Sequence, residues 1–387
     1  MRLVRTKANR RWFLHSCQTV SCEYSIVFSP KQLLCGRSLR AIAILTLLFA
    51  TITWGLFVGS DLSPDQVAQT PVDNGGDLGL YSRVVQGVQQ GGSYYDVVLA
   101  EHLAGPYATT PPTAVRTPTL TYLHVVFGAF TPWILVLGVV IVVLALAKEL
   151  EQVKKNRAEW YSAICLAALS FGMYANPQAA FLHEAWAAVF IGLAIVSASR
   201  DRTFLAVILA LSAVLIRELA APFLLLMFLL HIRKSRRSWG LWLGAIGVFG
   251  VVYALHWRAV EKASESLPSL VSPSWLVFGG WTHALDSFLF SSPLRLLPFA
   301  VTAFVLPLAI LGWAGISTNL GNLVSITVGA FWLFLCFAGR PENVYWGHLA
   351  ASLTLVGLAF APRVIFLIFR DLRGRREGTN PTHQSVN

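Results

Sequence analysis

Few residues in this chain carry charge, and those that could do chemistry fall into a handful of short motifs. Asp77 opens the stretch DLGLYSRVVQGVQ. His183 and Glu184 are adjacent in HEAW, Arg217 and Glu218 in RELAAP, and Arg340 and Glu342 in GRPENVYWGH. Arg116 stands alone in TPPTAVRTPTLTYL. Ionisable groups beside apolar segments are expensive to keep and are usually functional. A guanidinium there can grip a phosphate through two parallel hydrogen bonds. Arg217 and Arg340 are the first candidates for that role, with Arg116 and His183 behind them. Glu184, Glu218 and Glu342 are supporting carboxylates. Tyr345 and Trp346 are aromatics of the kind that sit at a membrane interface or stack on a sugar.

Each residue also has a structural reading. Asp77 at the start of a helical pattern fits an N-cap, its carboxylate accepting from the free N–H groups of the first turn. Arg217 and Glu218 fit an ion pair that holds a turn, and Arg116 fits an interfacial anchor. His183 and Glu184 are successive on a helix, so their side chains diverge by roughly 100° and do not form a chelating pair. No metal site follows from this spacing. The five cysteines suggest neither a disulfide framework nor a metal framework.

The elements that must position these groups are apolar. The 387 residues are 55% hydrophobic and 13% charged, against about 25% charged in soluble domains. The composition describes an all-α polytopic membrane protein. The formal net charge of +11 is not a nucleic-acid signal, because the basic residues cluster in short loops and tails, as topology signals do. A crossing needs about 20 apolar residues. Spans are expected at 40–59, 118–147, 239–256, 295–316, 319–338 and 346–369. Basic clusters at 154–157, 200–202, 233–237 and 370–376, if all cytoplasmic, require an even number of crossings between neighbours. So 160–199 is expected to be a hairpin turning near Asn176-Pro177, and 203–232 another turning near Arg217-Glu218. The alternative for 203–232 is one long tilted helix. The hairpin reading gives both termini cytoplasmic and about ten transmembrane helices, some of them short, since a run of about 14 residues reaches only about 21 Å. Its polar motifs all collect on the outer face, in the loops 60–117, 257–294 and 339–346 and at HEAW (183–186) and the turn RELAAP (217–222).

Within the first outer loop, Leu80, Tyr81, Val84, Val85 and Val88 recur at helical spacing up to Gly91-Gly92. This predicts a short amphipathic helix lying in the interface. Ser93 with Asp96 reads as a capping box that starts a second helix, closed by Gly105. The prolines before Arg116 favour extended backbone.

The order of DLGLYSRVVQGVQQGGSYYD, TPPTAVRTPTLTYL, HEAW, RELAAP and GRPENVYWG resembles the GT-C superfamily of integral-membrane glycosyltransferases, in its bacterial mannosyltransferase-like form, over about residues 40–370. The resemblance implies a membrane-embedded catalytic domain at 39–370, between a poorly ordered basic cytoplasmic tail (1–38) and a cytoplasmic tail (371–387). It implies hexosyl transfer with inversion, from a polyprenyl-phosphate sugar donor to a lipid- or glycan-linked acceptor, at the outer face of the cytoplasmic membrane. Asp77 takes the place of the catalytic acid of the first outer loop, and Tyr81, Tyr345 and Trp346 become substrate-stacking candidates. Many relatives pair two acids there. Here Asp73 lies four residues away, so the strict pair is absent; no cofactor is indicated, and a divalent metal is compatible but not indicated. The expected partners are the lipid-linked donor, the acceptor and membrane lipids, with no nucleic acid. The rival readings are a transporter and a non-catalytic envelope-assembly protein.

Overall fold

A computed structural model describes residues 76–105, 107–232 and 234–377. The expected first span at 40–59, the N-terminal tail, Asp73 and residues 378–387 lie outside the described residues. Two short helices, α1 (Gly76–Gln89) and α2 (Tyr94–Ala104), precede a kinked pair, α3 (Thr119–Phe127) and α4 (Thr131–Glu151). Then come α5 (Arg157–Gly172), α6 (His183–Ser199), α7 (Thr203–Ile216), α8 (Ala221–His231) and α9 (Arg236–Ser264). The chain closes with α10 (Gly280–Phe290), α11 (Phe299–Ala314), α12 (Asn319–Phe337), α13 (His348–Thr354) and α14 (Ala361–Glu377). Among the described residues there is no strand, only an isolated bridge between Thr110 and Val271.

The two faces of α4 show what solvent the bundle is built for. Leu135, Val139, Val142, Leu146 and Leu150 are buried at steps of three and four residues. Trp133, Leu137, Val140, Ile141 and Leu144 are exposed between them. A helix that presents large apolar side chains outward on one face and inward on the other is made for lipid, not water. Three continuous helical runs among the described residues are long and apolar enough to cross a membrane: 112–151, 236–264 and 319–337. A fourth, 341–359 with 361–370, is bent by 55°. Residues 183–199, 203–216, 218–231 and 299–314 form shorter apolar helices.

The expected breaks appear in the backbone. Asn176 is extended between two 3-10 turns, and Arg217 is extended (φ −139°, ψ 106°) between α7 and α8. Both arms, α7 and α8, pack on α9, and the extended Arg217 interrupts the helix between them. Gly91 (φ +96°) ends α1, with the Gly92 N–H bonded to the Gly87 carbonyl, a closure that favours glycine. The expected capping box of α2 does not form: the Ser93 side chain makes no cap hydrogen bond.

Helix α6 is the axis of the bundle. Fourteen of its residues are buried, on all sides, against α4, α7, α12 and α13. Its Ala and Gly residues let neighbouring backbones approach closely, as small residues do in membrane bundles. A Cβ at Gly192 would lie 2.8 Å from Val142 Cγ2 and 3.2 Å from the Phe171 ring. Gly192→Val is therefore expected to overpack this contact, at about 1–3 kcal/mol, and to lower the melting temperature of the purified protein. Gly247→Ala on α9, with nothing within 4 Å, is the control and should leave the melting temperature unchanged or raise it. Equal behaviour of the two variants would contradict this packing.

Candidate active site

The backbone at Val115–Thr117 is held by three helices. The Tyr94 hydroxyl of α2 donates to the Arg116 carbonyl at 2.6 Å. His256 Nε2 of α9 lies 3.1 Å from the Val115 carbonyl, which makes Nε2 the protonated nitrogen and leaves Nδ1 to accept from Tyr95, 3.2 Å away. The Thr117 hydroxyl donates to the Leu215 carbonyl at 2.8 Å, satisfying an acceptor that the end of α7 leaves free. With its peptide fixed, Arg116 reaches inward. Its Nε donates to the Tyr81 hydroxyl (3.2 Å) and its Nη2 to the Tyr345 hydroxyl (3.4 Å), and its Nη1 lies 3.5 Å from Glu218 Oε1.

Below Arg116 is a closed ionic floor. Arg217 is 0% exposed. Its Nε is 2.5 Å from Glu184 Oε1, its Nη1 bonds Glu218, and its guanidinium carbon lies 5.9 Å from the Trp346 ring centre. Glu184 is delivered by the first turn of α6, and Arg217 by the break after α7. His183 packs edge-on against Tyr81, ring centres 4.6 Å apart. Two guanidiniums and two carboxylates make the cluster neutral. Arg217 Nη2, Glu218 Oε2, His183 Nδ1 and Trp346 Nε1 are nonetheless buried without a hydrogen-bond partner among the described residues. Buried polar atoms are almost always satisfied in native proteins, so this concentration marks a place suited to a polar ligand.

The rim is more open. Asp77 lies in the first turn of α1 and is partly exposed. Burial, and then the Asp77 charge, push the Tyr107 phenol up to about 12, so at neutral pH it keeps its proton. Asp77 also acts electrostatically on the phenols of Tyr81 and Tyr345, the same two groups that Arg116 touches. Arg116 thus donates to two phenols that also feel the charge of Asp77.

The structure thereby gathers Asp77, Arg116, His183, Arg217 and their supporting Glu184 and Glu218 in one region, with Tyr81, Tyr345 and Trp346 between them. Arg340 and Glu342 are engaged elsewhere. They pair with each other at 2.7 Å, while Arg340 Nη1 donates to Ser272 at 3.4 Å and the guanidinium lies 5.6 Å from the Trp275 ring centre. Sequence reasoning missed Tyr94 and His256 as the groups that hold the backbone at Arg116, because their partners are distant in sequence. Among the described residues no group of three or more His, Cys, Asp or Glu is placed to hold a metal ion.

The chain matches no protein-family model, no curated protein and no solved structure, so the chemistry of this site rests on its own residues.

Removing one partner of a buried pair strands the other charge, at about 3–5 kcal/mol, whereas replacing the whole pair by apolar groups can be near neutral. Glu184→Gln is expected to destabilise the protein strongly, as is Arg217→Met. The double variant Glu184→Met/Arg217→Met should lose clearly less than the sum of the singles in thermal unfolding. Additive losses would show that the two residues do not depend on each other.

Proposed function

We propose that this chain is an inverting glycosyltransferase that takes a sugar from a polyprenyl-phosphate donor at the outer face of the cytoplasmic membrane. One observation supports the reading above the others. A rigidly held guanidinium donates to two phenols on which a partly exposed carboxylate also acts electrostatically, beside a neutral, closed ionic cluster. On this reading the acceptor hydroxyl lies against Asp77, which takes its proton as the oxygen attacks the anomeric carbon. The bond from that carbon to the phosphate oxygen breaks, and the electron pair leaves with the lipid phosphate. The negative charge moves from Asp77 to the leaving phosphate as the proton moves to Asp77. Arg116 faces that developing charge, and the Tyr81 and Tyr345 phenols are turned toward the same space. Attack opposite the leaving group inverts the centre.

The roles of the arginines divide accordingly. Arg217 has its charge matched by two carboxylates and shapes the floor. Arg340 is matched by Glu342. Arg116 has only Glu218 at 3.5 Å and is the group best disposed to accept a phosphate as a new partner. The orientation follows from the basic clusters: about ten crossings, several of them short, both termini inside, and the site outside. The rival, a transporter, is favoured by the buried pair at the α7–α8 break, since transporters place ion sites on broken helices near the midplane. An open rim at one end of the bundle fits interfacial transfer better.

Asp77→Asn keeps a polar group of the same shape but cannot take the proton. It should fold like the wild type and lose about 10²–10⁴ in rate, read as release of polyprenyl phosphate from polyprenyl-phosphate sugars in proteoliposomes. Normal turnover would reject Asp77 as base. Arg116→Lys keeps the charge but loses the fork. Its apparent donor affinity should fall by about tenfold, in the range of a lost charge-assisted bond, while Arg340→Lys leaves it unchanged. The reverse pattern would move the phosphate to Arg340. For topology, Ser235→Cys in a cysteine-free chain should resist impermeant maleimide added from outside, and labelling there would overturn the hairpin arrangement.

A further inference from the structure

The segment between α9 and α10 was expected to be an aqueous outer loop. Its composition argues otherwise. From Ser266 to Leu285 it contains no Asp, Glu, Lys or Arg. In the structure 268–278 is an extended strap whose large apolar side chains turn outward. Leu276 is 81% exposed, Val271 74% and Phe278 73%, with Leu270 and Val277 also exposed. A contiguous apolar patch of this kind, uncovered among the described residues, marks an interaction surface.

We propose that the strap 268–278 is embedded in the outer leaflet, with lipid acyl chains covering Leu270, Val271, Leu276, Val277 and Phe278. Continuity with a lipid-facing wall identifies the occupant. The Phe278 ring centre lies 5.2 Å from that of Phe337, the last residue of α12. Phe337 and Leu333 are exposed, one turn apart, on a helix long and apolar enough to cross. The strap therefore extends the lipid-facing side of α12 sideways at the membrane boundary.

Backbone groups entering lipid must be satisfied within the protein, and here several are. The Thr109 and Thr110 N–H groups donate to the Leu270 carbonyl (2.9 and 3.1 Å), and the Ser272 N–H donates to the Thr110 carbonyl (2.7 Å). The Gly339 N–H donates to the Trp275 carbonyl (2.8 Å), and the Leu276 N–H donates to Ser274 Oγ (3.1 Å). Trp275, partly buried under Arg340, is an amphipathic ring at the depth where such rings anchor proteins. The same bonds tie the strap to 109–110, which leads to Arg116, and to 339–340, which leads to Tyr345. Lipid contact and the geometry of the rim are thereby joined through one segment. The proposal rests on the membrane reading of the bundle and not on the transfer chemistry.

The test uses the full-length, cysteine-free chain with Leu276→Cys or Glu265→Cys, labelled with a polarity-sensitive fluorophore and reconstituted in phosphatidylcholine vesicles. Glu265 is exposed and precedes the strap. The label at 276 should emit to the blue of that at 265, lose most of its intensity when the lipids are brominated on their acyl chains, and resist aqueous iodide. Iodide quenching at 276 equal to that at 265, without bromolipid quenching, overturns the proposal. Protection at 276 that vanishes when vesicles are diluted to one copy each also overturns it, and assigns the patch to a second copy of the chain.

Discussion

The arrangement depends on one charge that has nowhere else to go. Arg217 is sealed from solvent at the α7–α8 break. Its stability rests on two carboxylates arriving from different directions: Glu184 from the head of α6, and Glu218 from the turn that follows Arg217. Each must be present for the other elements to sit where they do. Glu218 is also the ionic partner of Arg116, so the position of the rim arginine is set from below by the ion pair and from behind by Tyr94, His256 and Thr117. The region has two tiers. A neutral floor resists change because any single alteration leaves a charge stranded, while the rim of Asp77, Tyr107, Tyr81 and Tyr345 is partly open and held by single hydrogen bonds.

Much of the helical framework could be read in the residues, because long apolar runs form helices and the polar residues between them mark where the helices stop. The breaks at Asn176 and Arg217, the amphipathic α1 and the glycine closure at Gly91 all follow from local chemistry. The apolar stripe of α4 is equally plain. The capping box at Ser93 was a local pattern that tertiary packing did not use. The site was legible as a set of residue types: charged and aromatic groups are so scarce in this chain that HEAW, RELAAP and the Arg116 segment stood out. What could not be read was pairing. Nothing in RELAAP says that Arg217 reaches Glu184, 33 positions earlier, rather than facing a ligand. Nothing in GRPENVYWGH says that Arg340 turns to Trp275 while Tyr345, five residues on, turns to Arg116. Those choices are made by the angles at which helices cross, and these depend on packing between segments far apart in sequence.

One consequence of α6 concerns how the chain is made. A 17-residue helix covers about 25 Å, less than the ~30 Å of a hydrocarbon core. It begins with an acid and a histidine, and its surface is rich in Ala and Gly, which contribute little transfer free energy. On its own it is a poor candidate for insertion. Its seat is formed by α4, which is synthesised before it, and by α7, α12 and α13, which emerge later. The floor cannot close until Arg217 arrives with the end of α7 to meet Glu184. Until then the centre of the bundle has an unmatched carboxylate and an unfilled groove. A segment buried on all sides among the described residues therefore reaches its final environment only once α12 and α13 have been made.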